Sequence, residues 1–258
     1  MKRLSRLSPT SRPALLGAVV LLALTSSSVA AADGGTGPLG ATADAAADRP
    51  AARVGALFAA DRAGRPDGGH FCTASVVHSP RGDLIVTAAH CVDDGGAGLV
   101  FVPGYRDGRA PYGLWRVTRR FLPAGWTREQ DEDSDVAFAA VAGRDGRRLE
   151  DMVGAGRFTP GVATGATAVT VTGYPRVRET PVTCTDKPSP YSRTQQRVDC
   201  PGFTGGTSGS PWVNGDGQVV GVLGGHERGG ATADVSYSVV LGGEAARLYQ
   251  EAVAGIGS

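Results

Sequence analysis

Apolar residues in this chain fall in short runs that Gly, Pro and charged residues interrupt every few positions. Beyond the first fifty residues the clearest runs are 54–58 (VGALF), 72–77, 84–87, 136–141, 168–172 and 219–223. Each has the length of a strand and falls short of the ten or more residues that a globular helix uses. Turn chemistry separates them. Ser79-Pro80-Arg81-Gly82-Asp83 presets φ at Pro and relieves sterics at Gly. Asn214-Gly215-Asp216-Gly217 is a strong hairpin signal. Only the end changes period. Ala245, Leu248, Tyr249 and Ala252 share one helical face, and Gly255 follows as a stop, so a helix is predicted over about 243–254. The expectation is a mostly β chain with one C-terminal helix and no internal repeat.

The N-terminus reads differently. Lys2, Arg3, Arg6 and Arg12 precede an eleven-residue apolar stretch, 14–24, and small residues follow to Ala32. This is the layout of a secretory signal peptide over 1–31, cleaved near Ala31. A membrane-spanning helix would need about 20 apolar residues. Residues 32–53 lack aromatics and a periodic apolar face, and read as a linker or short propeptide.

Composition sharpens this picture. Hydrophobic residues are 41% and charged residues 20%, which excludes a wholly disordered chain. The 39 Gly and 16 Pro disfavour a helical bundle. A net charge of +1 excludes a nucleic-acid-binding polycation. Taking the leader's four basic residues from the 26 leaves 22 against 25 acidic, so the exported chain is net −3. Export also puts the four Cys in an oxidising compartment. Three pairings are possible; the local ones, Cys72–Cys91 and Cys184–Cys200, close short loops and would each contribute about 3 kcal/mol. No Cys-x-x-Cys pair supports a zinc site.

Candidate chemistry concentrates in 204–212, TGGTSGSPW. Glycines around Ser208 allow tight backbone turns that can aim the N–H groups of Gly206 and Ser208 at one point, as an oxyanion hole requires. A serine hydroxyl needs a base. His90 directly follows the apolar run 84–89 and is pinned by Cys91. His70 and His78 lie in polar turn contexts and read as surface histidines; His226 follows a strand and could line a pocket. The base needs a carboxylate, and Asp135 opens the apolar run 135–139. A calcium loop over Asp131, Asp133 and Asp135 lacks its Gly and Glu, because Val136 and Ala142 stand there.

The blocks Thr87-Ala88-Ala89-His90-Cys91, Asp135-Val136-Ala137 and Gly206-Thr207-Ser208-Gly209-Ser210-Pro211, in this order, resemble the chymotrypsin-like (trypsin-fold) serine proteases over about 54–254. The bacterial secreted branch that includes glutamyl endopeptidases is the most similar. The resemblance implies two packed six-stranded antiparallel β-barrels, about 54–150 and 160–240, with the site between them and the last helix outside. It implies a secreted, extracellular serine endopeptidase with catalytic His90, Asp135 and Ser208, and an oxyanion hole of Gly206 and Ser208. A substrate pocket is expected at Gly202, Phe203, Thr204, Leu223, Gly224 and Gly225, with 223–225 adding a substrate strand to its edge. The expected partner is a peptide or protein substrate. No cofactor, metal, nucleic acid or stable membrane association is expected, and the protein should be a monomer.

Three departures qualify the resemblance. Trypsin-like zymogens carry Asp before the nucleophile, where this chain has Thr207. Arg53-Val54 therefore looks like an activation site without its acidic partner. The position six residues before Ser208 is Gly202, which argues against an Arg/Lys preference. Phe203 and Leu223 stand where glutamyl endopeptidases have Thr and His, which argues against Glu, so an apolar or small P1 residue is expected. A secreted esterase of the α/β-hydrolase type would need Gly where Ser210 stands and a different residue order. A catalytically inactive binding module on the same fold is the second alternative.

Overall fold

In the computed structural model, residues 38–62, 68–93 and 98–255 are described; the expected signal peptide lies outside them. The first half is a ring of six antiparallel strands: β2 (Val54–Ala59), β3 (His70–Val77), β4 (Leu84–Thr87), β5 (Leu99–Pro103), β6 (Trp115–Phe121) and β7 (Ala137–Val141), preceded by β1 (Ala41–Asp44) outside the ring. The ring runs β2-β3-β4-β7-β6-β5 and closes where β5 pairs with β2. Closure leaves no unpaired edge. Leu57, Ala74, Val76, Ile85, Phe101, Trp115 and Ala139 fill its interior. Gly55 lies against the β5 backbone, where a Cβ would meet the Val102 carbonyl at 2.4 Å.

In the second half the expected six-stranded barrel is not seen as one closed sheet. Its strands are β8 (Arg157–Phe158), β9 (Val169–Gly173), β10 (Val182–Asp186), β11 (Ser189–Pro190), β12 (Gln195–Asp199), β13 (Pro211–Asn214), β14 (Gln218–Val222) and β15 (Val235–Val239). They form a six-stranded sheet, β1-β10-β9-β13-β14-β8, and a three-stranded sheet, β11-β12-β15. Between β14 and β15 there is a single bridge, Leu223 to Ser238, in place of a ladder. The reason is local: the Ser238 hydroxyl, rather than a backbone carbonyl, accepts the Val222 N–H at 2.9 Å. The Cys184–Cys200 disulfide ties β10 to the end of β12.

The described part of 32–53, read as a linker or short propeptide, carries regular structure. β1 pairs antiparallel with β10. Asp48 then caps a short helix, α1 (Arg49–Ala52), accepting the Ala51 N–H at 2.8 Å, and Pro50 sits in its first turn. Ala45 and Ala52 are buried. β1 shows no apolar face; its backbone ladder with β10 and the Asp44–Arg178 ion pair attach it.

Short helices α2 (Ala124–Glu129) and α3 (Leu149–Val153) connect strands, and α4 (Gly243–Ala254) ends the described chain. Ala245, Leu248 and Ala252 of α4 pack on a core containing Val77, Leu84, Phe138, Phe158, Val219 and Val222. That core draws on both halves, so the helix fastens one to the other.

Candidate active site

β4 ends at Thr87, and one helical turn, Ala89–Cys91, lifts His90 out of the barrel wall. Two ties hold the turn. The Thr87 hydroxyl donates to the Thr73 carbonyl at 2.7 Å, and Cys91 is bonded to Cys72 of β3. Asp135 ends the turn Glu132–Ser134 just before β7 and is wholly buried. Its carboxylate accepts three N–H donors: the His90 amide at 3.0 Å, His90 Nδ1 at 2.7 Å and the Gly225 amide at 2.8 Å. A buried carboxylate without such partners would cost several kcal/mol. Here the bonds fix the imidazole with Nδ1–H toward Asp135, leaving Nε2 as the free, basic nitrogen.

Ser208 sits in the loop before β13, which is braced from both sides. Its carbonyl accepts the Thr73 N–H at 2.7 Å, and the next amide, Gly209, donates to the Leu223 carbonyl at 2.7 Å. The Thr73 hydroxyl donates to the Gly206 carbonyl and accepts from the Tyr174 amide, each at 3.0 Å. Two glycines are sterically required. At Gly206 (φ 105°) a Cβ would meet the Tyr174 carbonyl and the Arg176 amide nitrogen at 2.6 Å, and at Gly209 (φ 87°) the Thr73 carbonyl at 2.0 Å. Among the described residues, neither the Gly206 nor the Ser208 N–H donates to a protein acceptor. Both remain available to an incoming oxygen.

Ser208 and His90 line one cleft of about 550 Å³. The Ser208 Oγ lies 3.4 Å from the Arg228 carbonyl, its only hydrogen-bond partner among the described residues, and makes no bond to His90. Rotation about one bond re-aims it, and such contacts tighten when substrate binds.

Of the expected pocket residues, Phe203, Thr204 and Leu223 line this cleft; Gly202, Gly224 and Gly225 do not. Gly224 packs on Asp135 and donates to the Tyr237 carbonyl, and Gly225 donates to Asp135. The Leu223 amide donates to Ser210. All three N–H groups of 223–225 are therefore engaged internally, so this edge offers no free amide to a substrate strand. The cleft is instead completed by Phe71, Arg176, Arg228 and residues 229–233. Their sequence signal is slight. Only the glycine pair at 229–230 hinted at unusual backbone, and no local pattern links Thr73 to Ser208, 135 positions later.

The other histidines divide. His70 is fully buried, contrary to its surface reading, because it opens β3 rather than a loop. It packs among Phe58, Tyr105 and Tyr174, with Nε2 3.0 Å from the Pro175 carbonyl and Nδ1 without a partner among the described residues. Burial pushes its basicity down; the Pro175 carbonyl and Glu179 oppose this in part, and Arg176 adds to it. His78 is exposed beside Glu150. His226 stacks with Tyr191 and Tyr237 outside the cleft lining. Cys72, His90 and Cys91 bring sulfur and nitrogen within 4.8 Å, but the two sulfurs are bonded to each other and offer no thiolate.

Comparison with known proteins places this geometry. The family model described as a trypsin-like peptidase domain matches residues 72–222. Among solved structures, the protease Anisep from Arthrobacter nicotinovorans is similar at 26% identity and a TM-score of 0.70, over 83% of this chain and 99% of that one. The thermostable serine protease AL20 from an extremophilic microorganism is similar at 24% identity and TM-score 0.68, over 80% and 99%. A Glu endopeptidase shares the fold at 18% identity and TM-score 0.66, over 85% and 99%. Among curated proteins, none matches.

Proposed function

This chain belongs to the trypsin-like peptidase family, and from that premise we propose that it is a secreted serine endopeptidase acting through Ser208, His90 and Asp135. The observation that carries the reading is the buried Asp135 carboxylate, bonded at 2.7 Å to a His90 ring that opens onto the Ser208 cleft. Ser208 Oγ attacks the peptide carbonyl carbon while His90 Nε2 takes its proton. Asp135 holds the ring and stabilises the imidazolium. The carbonyl oxygen, now negative, receives the N–H groups of Gly206 and Ser208. As the tetrahedral species collapses, the C–N bond breaks and the His90 proton goes to the leaving amine. Water then repeats the sequence on the acyl-enzyme, with His90 as base, and frees Ser208.

Secretion is supported by the leader pattern and by the two disulfides. A fluorophosphonate probe tests the chemistry. We expect the mature protein to be labelled at Ser208, and Ser208→Ala to lose labelling and to lower kcat by about 10⁶-fold. An unlabelled but folded protein would identify an inactive binding module instead.

A further inference from the structure

The cleft shared by Ser208 and His90 is lined by two arginines, Arg176 and Arg228, and, among the described residues, by no carboxylate. Both residues are exposed. Neither guanidinium has an ion-pair partner among the described residues, whereas Arg178, two positions from Arg176, pairs with Asp44. The neighbouring acids are turned elsewhere. Glu179 accepts from the Tyr105 hydroxyl, and Glu227 faces His226.

The backbone beneath Arg228 is an independent observation. Gly225, Glu227, Arg228, Gly229 and Gly230 all have positive φ, with 49° at Glu227 and 56° at Arg228. Glycine adopts this region freely, while other residues are strained there by about 1 kcal/mol each. The chain carries arginine where glycine would be unstrained, so the side chain is what the position supplies. The loop is held in place: Glu132 accepts the Glu227 amide at 2.9 Å and lies 3.4 Å from His226 Nδ1. The same loop sets the Arg228 carbonyl 3.4 Å from Ser208 Oγ. Arg176 arrives from a separate segment after β9, and its amide donates to the Gly205 carbonyl at 2.7 Å, beside the Gly206 N–H. Two cations without an ion-pair partner among the described residues thus enter the cleft from different segments, and the rest of its described lining apart from His90 is uncharged.

We propose that Arg176 and Arg228 select peptide substrates that carry carboxylates on residues flanking the scissile bond. The inference rests on the endopeptidase reading for its chemistry, but binding tests it separately. The acid belongs at positions other than P1, because the arginines are exposed while Phe203, Leu223 and the Gly/Ala stretch 229–231 supply uncharged wall.

The experiment is a pair of measurements on peptides with one apolar P1 residue and Glu, Gln or Lys on both flanks. Fluorescence anisotropy with the Ser208→Ala protein reads binding without turnover, and kcat/KM with the unsubstituted protein reads hydrolysis. Glu flanks should bind about five- to tenfold more tightly than Gln flanks, and Lys flanks more weakly than Gln. The advantage should shrink as salt rises to 0.5 M, because exposed charges are screened. Arg176→Gln plus Arg228→Gln should bring the Glu-to-Gln ratio to within about twofold; the ratio reads selection whatever these changes do to overall affinity. A ratio near one in the Ser208→Ala protein, or a ratio unchanged by the double substitution, overturns the proposal. A preference seen only for Glu at P1 overturns it too. Selective binding with no hydrolysis of any peptide by the unsubstituted protein would uphold the cationic site and remove the endopeptidase reading.

Discussion

His70 shows how far a single residue's environment departs from its sequence neighbourhood. Flanked by Gly68, Gly69 and Phe71, it nevertheless begins β3 and is enclosed by three aromatic rings. Burial disfavours its charged form, so its folded pKa lies below the unfolded value of 6.5. Below 6.5 the unfolded chain therefore binds the proton first. The contribution of neutral His70 is fully present above pH 6.5 and is lost as pH falls through the lower folded value. His70→Gln keeps a donor for Pro175 but removes this titration. We expect it to lower stability at pH 7 by about 1–3 kcal/mol and to flatten the loss between pH 6.5 and 5. Thermal melts of both proteins across that range measure it, and parallel curves would show that His70 does not titrate differently on folding.

At the scale of elements, the legible strands were those whose apolar residues stand together. The runs 54–58, 72–77, 84–87 and 219–223 all lie within or across observed strands, and the 214–217 turn closes β13 onto β14. The unread strands are those whose pattern is diluted. β6 (WRVTRRF) carries three arginines, and β10, β12 and β15 alternate with Thr, Gln or Ser. β1 has no apolar face at all. Its attachment predicts a consequence. Cleavage at Arg53-Val54 would remove β1 and α1, with the buried Ala45 and Ala52. Relative to a protein beginning at Thr36, one beginning at Val54 should lose about 3 kcal/mol, or roughly 6–12 °C in Tm. Equal melting temperatures would restore the linker reading of that segment.

For the whole molecule, one half is closed and the other is tied. The first barrel closes by hydrogen bonds, while the sheets of the second half are joined by the Leu223–Ser238 bridge, the Cys184–Cys200 disulfide and an apolar core that packs Val198 on Val171, Trp212 and Val220. Replacing Cys184 and Cys200 with Ala should cost about 3 kcal/mol of stability yet leave fluorophosphonate labelling at 25 °C intact. Replacing Cys72 and Cys91 should slow labelling at temperatures where the protein remains folded, because that bond anchors the turn carrying His90. Comparing labelling rates with melting curves separates the two bridges, and equal effects on labelling would refute the division.

The sequence alone determined the β-rich class, the C-terminal helix and three blocks holding His90, Asp135 and Ser208, and it singled out the local disulfides among three possible pairings. Each is carried by residues close together in the chain, where period, spacing and turn chemistry operate. Tertiary structure decided the rest: the Thr73 clamp on the Ser208 loop, the burial of His70, the bond from the Gly225 amide to Asp135, and the entry of Arg176 and Arg228 into the cleft. These depend on contacts between segments far apart in sequence. Such contacts are set by which strands pair and at what register, and neither is encoded in the pattern of any one segment.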